Sequence, residues 1–276
     1  MQKIIAFFMT LIAGFCGIFG IPYYAVGEKV DMDKFELVWS DEFNGDEVDW
    51  NVWKGHYAWE TNTDRKGSVW NKQMASVRDG NLVISTKYFA EGLDGGHPGF
   101  YNYGMDTSDS YRQTYGYFEC RCKLPKGHSL WGAFWLYCEG VCDLADAGKN
   151  GAEIDVFESM YYDAKKPNTV SSNIHYDGYD AAHKAMGAKK YLVKGDPHSE
   201  FNTYGVEWNS DGYTFYINGV KSFSTDFGGA SEALEFLILS VEISGENGVA
   251  ATDALAGVDD SEFVVDYVRA YQYKSR

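Results

Sequence analysis

The chain has 276 residues, of which 45% are hydrophobic and 17% aromatic, enough for one large core. Its formal net charge is -16, which argues against nucleic acid and anionic membrane as partners. The same charge disfavours a strongly sulfated polysaccharide, unless a local basic patch overrides it, so a neutral substrate fits best.

At the N-terminus Lys3 precedes an apolar run from Ile4 to Gly20. Ala25-Val26-Gly27 then offers small residues for cleavage before Glu28. Residues 1–27 read as a secretory signal peptide, with an uncleaved membrane anchor as the alternative. Cys16 matches a lipoprotein motif poorly, because Phe15 stands before it. No later run is long and apolar enough to span a membrane. Residues 28–276 contain no internal repeat and no low-complexity linker, so they read as one domain, expected to act as a monomer.

Leu37 to Gly45 begins this domain with a short strand and a turn. Lys54 to Ser68 is polar and reads as loop. Asp79-Gly80 is a turn signal before a strand over Asn81–Lys87. Tyr111–Leu124 and Trp131–Cys138 read as antiparallel strands joined by Pro125-Lys-Gly-His-Ser129. Strands follow over Thr169–Tyr176, Phe201–Trp208 and Tyr213–Ile217, the last two joined by Asn209-Ser-Asp-Gly212. Asn218-Gly219 turns the chain again, and Leu234–Ile243 and Phe263–Tyr273 close the domain. Short helical turns are expected over Ala181–Lys190 and Ser231–Glu235. Many hairpin-spaced strands with almost no helix predict an all-β sandwich or barrel.

Four cysteines remain after the leader: Cys120, Cys122, Cys138 and Cys142. Cys120 and Cys122 share one strand face and read as core. Cys138 and Cys142 are spaced to close a short disulfide in an oxidising compartment. A four-cysteine zinc site is the weaker alternative.

The most informative stretch is Gly151-Ala-Glu-Ile-Asp-Val-Phe-Glu-Ser159. Period-2 alternation points Glu153 and Asp155 to one strand face and Ile154 to the other. Glu158 falls one residue late, and a β-bulge at Val156-Phe157 returns it to that face. Ile154 and one of Val156 or Phe157 then lie in the core. Three repelling carboxyls in a row are costly for a strand. An acidic edge strand or part of a calcium site is one reading. The other is a catalytic carboxyl pair with a tuning acid between, suited to retaining glycoside hydrolysis.

This stretch resembles glycoside hydrolase family 16, in the laminarinase-like branch with the bulged spacing. The resemblance extends over nearly all the chain after the leader. Trp39-Ser-Asp-Glu-Phe-Asn44, Tyr115-Gly-Tyr-Phe-Glu119, Leu124-Pro-Lys-Gly127, Trp131-Gly-Ala-Phe-Trp135, Tyr204-Gly-Val-Glu-Trp208 and Val265-Asp-Tyr-Val-Arg269 also carry it. It implies a β-jelly roll of two curved antiparallel sheets with a substrate cleft on the concave face. It implies Glu153 as nucleophile, Glu158 as general acid/base and Asp155 as their helper. By the same resemblance Trp135 stacks against a sugar ring, and Trp131, four residues earlier on the same strand face, is the next candidate. Asn173 and His175 alternate on the strand after the acids, so both face the cleft, where the resemblance implies contact with the sugar near the cleavage point, and Arg112 resembles a position that binds a sugar hydroxyl. Asn71 and Glu242 are weaker candidates, and Trp208 is core or sheet support. A structural calcium is implied at Glu42, the Gly80 carbonyl and Asp266, while the chemistry needs no cofactor.

Two departures bear on substrate. The lichenase-like branch has Trp two residues before the nucleophile and lacks the bulge, whereas Gly151 stands there in this chain. Glu242 also differs from the small or amide residues of many laminarinases. The expected activity is endo-hydrolysis of β-1,3- or mixed β-1,3/1,4-glucan. A β-galactan hydrolase of the agarase or carrageenase type and a non-catalytic carbohydrate-binding jelly roll are the alternatives.

Overall fold

The computed structural model describes residues 27–55, 62–127, 129–159, 168–191, 196–243 and 260–275. The leader reading, including Cys16, lies outside them apart from Gly27. Among the described residues no helix is long and apolar enough to cross a membrane.

The architecture is the expected two-sheet jelly roll. Eleven described strands form one sheet, with neighbouring strands Asn202–Asn209, Gly116–Lys123 and Ser261–Tyr273 at its centre. Seven form the other. In that second sheet Glu153–Ser159 lies between Leu130–Tyr137 and Thr169–Tyr176, and Phe236–Ile243 flanks Leu130–Tyr137 on its far side. The main core fills the space between the sheets. Ile154, Val156, Phe157, Leu239 and Val241 meet Phe118, Cys120, Cys122, Val206 and Phe263 there. Both Val156 and Phe157 enter this core, where only one of them was expected.

Phe236–Ile243 is buried along its whole length because both its faces are covered. Leu237, Leu239, Val241 and Ile243 face the main core. Phe236 and Ile238 instead join Ala133 and Trp135 in a small apolar cluster on the opposite face. That cluster is the firm ground beside the acids.

The strand readings largely agree with the structure, and Asn218-Gly219 turns with both residues at positive φ, 51° and 72°. Two helical readings need correction. Lys184–Tyr191 is a strand paired antiparallel to Thr169–Tyr176, and residues 231–235 form no helix. Ala181 to Lys190 has good helix formers, but strand pairing overrides a weak local preference. The four cysteines are all free thiols: Cys120 and Cys122 sit in the core as expected, and Cys138 and Cys142 are unbridged.

One buried acid fixes the entry to the acid strand. Glu235 is fully buried, and its Oε1 accepts the Ala152 N–H at 3.2 Å. Burial pushes its carboxyl up to about 8 from an ordinary 4.5, so it folds protonated at neutral pH. A carboxyl raised on folding stabilises fully below its unfolded pKa and loses that contribution as pH rises through its folded one. Glu235→Gln is therefore expected to flatten the loss of stability between about pH 4.5 and 8 in urea unfolding. Parallel pH curves for the two proteins would contradict this role.

Candidate active site

The acid strand carries the expected bulge. Asp155 pairs with Asn173 and Glu158 with Ser171, so Val156 and Phe157 together oppose one residue. The extra residue returns Glu158 to the face of Glu153 and Asp155. All three acids line a cleft of about 680 Å³. Its floor includes Trp131, Ala133 and Trp135 from one neighbouring strand, and its other side Ser171, Asn173 and His175. Trp135 is anchored by its indole N–H, which donates to Ser240 Oγ at 3.1 Å.

Gly151, two residues before Glu153, has φ +154°. A Cβ there would lie 2.3 Å from Cys138 Sγ and 2.9 Å from the Gly140 and Val141 backbone. The tryptophan of the lichenase-like pattern therefore has no room at this position.

One cation stands among the acids. His175 Nε2 lies 3.2 Å from Asp155 Oδ2 and 3.9 Å from Glu153 Oε1. Burial pulls its imidazole down, but the Asp155 hydrogen bond and the charges of the three acids outweigh that and raise it to about 9. His175 is thus an imidazolium at neutral pH, with both ring nitrogens donating. Its Nδ1 lies 2.9 Å from His183 Nε2, which accepts. Burial and the His175 charge lower His183, so it is the neutral partner of the pair.

The two glutamates differ. Burial and then Asp155 raise Glu153 to about 7, opposed by the His175 charge and a hydrogen bond from Tyr179. Glu158 is pushed well above the ordinary carboxyl range by burial, then by Asp155 and Glu153. Asn173 Nδ2 donates to its Oε2, and Ser171 Oγ donates at 3.4 Å. One acid is therefore disposed to ionise first and the other to keep its proton, as paired acid and nucleophile require.

The comparisons with known proteins give the family. The family model described as Beta-porphyranase A-D, GH16 domain matches residues 35–273. The chain belongs to glycoside hydrolase family 16. Endo-1,3-1,4-beta-glycanase EglC of Rhizobium meliloti is 31% identical over 198 residues, covering 71% of this chain. The chain spans only 39% of that relative's length. Beta-porphyranase B of Zobellia galactanivorans is 25% identical, over 91% of this chain and 90% of its own. Among solved structures, SCLam, a non-specific endo-beta-1,3(4)-glucanase from family GH16, superposes with a TM-score of 0.71 at 27% identity. That match covers 90% of this chain and 95% of SCLam.

Within this family 16 cleft lie five of the seven residues expected to bind substrate: Trp131, Trp135, Asn173, His175 and Glu242. His175 faces the carboxyls as well as the cleft, so its first role is electrostatic. Arg112 does not line the cleft. Its guanidinium forms a two-point ion pair with Glu139 at 2.8 and 2.9 Å and packs on the Phe236 ring. Asn71 is buried, caps the 3-10 turn at Lys72–Met74 and donates to Asn62 and Asp94.

Four ionisable cleft residues were missed, Arg65, Lys66, Tyr179 and His183, besides Ala133, Ser171 and Ser240. Arg65 and Lys66 each reach Glu242 at 2.7 Å, and Lys66 Nζ lies 3.6 Å from the Trp131 ring centroid. All four lie in or beside loops, where no period marks a facing side chain.

The calcium expectation is not met by its side chains. Glu42 gives both carboxylate oxygens to Arg269, at 2.9 and 2.8 Å, and Asp266 pairs with Arg121. Guanidinium groups already neutralise both, so they do not fit as cation ligands. Gly80 serves the Asp79-Gly80 turn at φ +70°. Among the described residues, the group of possible ligands that converges is Glu153, Asp155 and His175, the acid centre itself.

Activity needing an ionised Glu153 is lost as pH falls through the raised pKa. The acid limb of kcat/KM is therefore expected near pH 7. His175→Gln removes the charge that lowers both glutamates, so the limb should move upward and kcat/KM at neutral pH fall about tenfold. An unmoved limb would contradict the electrostatic role of His175.

Proposed function

We propose that this chain is a secreted, monomeric, retaining endo-glycoside hydrolase acting on β-1,3- or mixed β-1,3/1,4-glucan. The observation that carries the reading is the acid strand: three carboxyls on one face, with the outer two driven to different protonation. Family membership and the two glucan- or glycan-cleaving relatives support it. A non-catalytic binder gains nothing from such a cluster.

In this mechanism Glu153 attacks the anomeric carbon. The bond from that carbon to the leaving oxygen breaks, and Glu158 gives that oxygen its proton. The product of this step is a glycosyl ester on Glu153. Water then attacks the same carbon, Glu158 takes the water's proton, and Glu153 leaves as a carboxylate. Asp155 supports both steps. Burial, and after it the Asp155 charge, keeps Glu158 protonated before cleavage, and His175 holds Asp155 in place. Trp131 and Trp135 present aromatic surface suited to the C–H faces of pyranose rings.

A β-galactan substrate is the second reading. The matching porphyranase model and the likeness to porphyranase B favour it. Arg65 and Lys66 also set two cations against the single carboxylate of Glu242. The net negative charge of the whole chain therefore does not exclude an anionic chain at this end of the cleft.

Reducing-end release is to be measured on unbranched β-1,3-glucan, mixed-linkage glucan and agarose in parallel, with Glu153→Gln as blank. Release from a glucan, lost by at least about a thousandfold in the blank, is the expected result. Release from agarose alone would keep the mechanism and overturn the glucan assignment. Equal release by the blank would overturn the acid assignment.

A further inference from the structure

The loop between Thr169–Tyr176 and Lys184–Tyr191 is shaped to return one side chain to the acids. Asp177 and Gly178 both have positive φ, 61° and 71°, and turn the chain sharply. The Gly178 N–H donates to the Val141 carbonyl at 2.8 Å, which ties the turn to the 3-10 turn at Glu139–Cys142. Tyr179 follows at once. Its hydroxyl donates to Oε2 of Glu153. Its ring lies 5.8 Å from that of His183, which stacks on His175 at 5.1 Å with planes 4° apart. The three rings form a row over the acid centre.

Core packing does not account for this tyrosine. Tyr179 is 51% exposed and belongs to none of the apolar clusters. The phenol is a lasting donor, because burial of its hydroxyl and the Glu153 charge both push its pKa up.

We infer that Tyr179 is a positioning residue for the nucleophile, holding Oε2 of Glu153 so that Oε1 meets the anomeric carbon. This rests on the mechanism proposed above. The two oxygens of Glu153 stand in different surroundings: Oε2 accepts from Tyr179, and Oε1 lies 3.9 Å from His175 Nε2. The oxygen already engaged by a hydroxyl is the poorer nucleophile, and its hydrogen bond fixes the carboxylate plane. When the ester later breaks, negative charge returns to the carboxylate and strengthens the same hydrogen bond.

A hydrogen bond to the ionised form of an acid favours that form. Other titratable groups also act on Glu153: Asp155 on its own strand, Glu242 on Phe236–Ile243, and His175 on the adjoining strand. Glu158 shares the same face. Tyr179→Phe leaves all of these in place and keeps the ring on His183. It removes one hydroxyl, so any change in Glu153 is assigned to that bond.

The experiment compares pH profiles of kcat/KM for the full chain and Tyr179→Phe, with Glu153→Gln as a control and thermal unfolding of each protein. The expected result is a tenfold to hundredfold loss, roughly, at pH 6, an acid limb higher by about one pH unit, and an unchanged Tm. An unmoved limb with an inactive Glu153→Gln would overturn this inference alone. Full activity in Glu153→Gln would instead overturn the mechanism on which it rests. Should Tyr179→Phe be too slow to assay, carboxyl ¹³C titration of Glu153 in the Tyr179→Phe/Glu158→Gln and Glu158→Gln proteins decides. An equal Glu153 pKa in the two would refute the inference.

Discussion

Three carboxyls on one face of one strand repel each other, and the surrounding site is arranged around that repulsion. Three neutral residues, Ile154 and the bulge pair Val156 and Phe157, are all that separate the acids along the strand. In water the charges would be screened, but burial leaves little solvent to do so. The structure answers in two ways. A single imidazolium, His175, stands against Asp155 and is itself fixed by neutral His183. Glu158, the acid farthest along the strand, keeps its proton. The repulsion is thereby converted into a difference in protonation between two chemically identical side chains, which is what paired acid and nucleophile chemistry requires.

The scaffold makes this arrangement tolerable. Ile154, Val156 and Phe157 are anchored in the main core, so the strand cannot relax its charges by shifting register. A one-residue slip would bury carboxyls and expose that apolar set. At the strand's start Gly151 lies against the Cys138 thiol and the neighbouring backbone, and Glu235 grips Ala152. On the cleft face the Trp135 indole is tied to Ser240. Rigid elements thus hold the acids, while loops supply Tyr179, Arg65 and Lys66 around them.

Much of this was legible in the residues because strand physics has a short period. Alternation placed Glu153 with Asp155, and the late position of Glu158 demanded the bulge that the structure contains. The parity of Asn173 and His175 put both in the cleft. What was not legible depends on partners distant in the chain. Arg112 looked like a sugar ligand by sequence context, but Glu139 is near enough to take its guanidinium. Asn71 proved to be a turn cap. The side chains of Glu42 and Asp266 suit calcium in isolation, yet Arg269 and Arg121 neutralise them. Ala181 to Lys190 has helical composition, and only the free edge of Thr169–Tyr176 makes it a strand. Tyr179 lies in a loop whose aim is set by two positive-φ residues, and no periodicity announces where such a turn points.

In the proposed mechanism Glu153 forms a covalent bond to the sugar while Glu158 manages the proton. It is tested most directly by trapping that bond. The protein would be incubated with a 2-deoxy-2-fluoro glycosyl fluoride of the oligosaccharide it cleaves, digested, and its peptides sequenced by mass spectrometry. One glycosyl adduct, on Glu153, is the expected result. An adduct on Glu158, or product release with inverted configuration and no adduct, would contradict it.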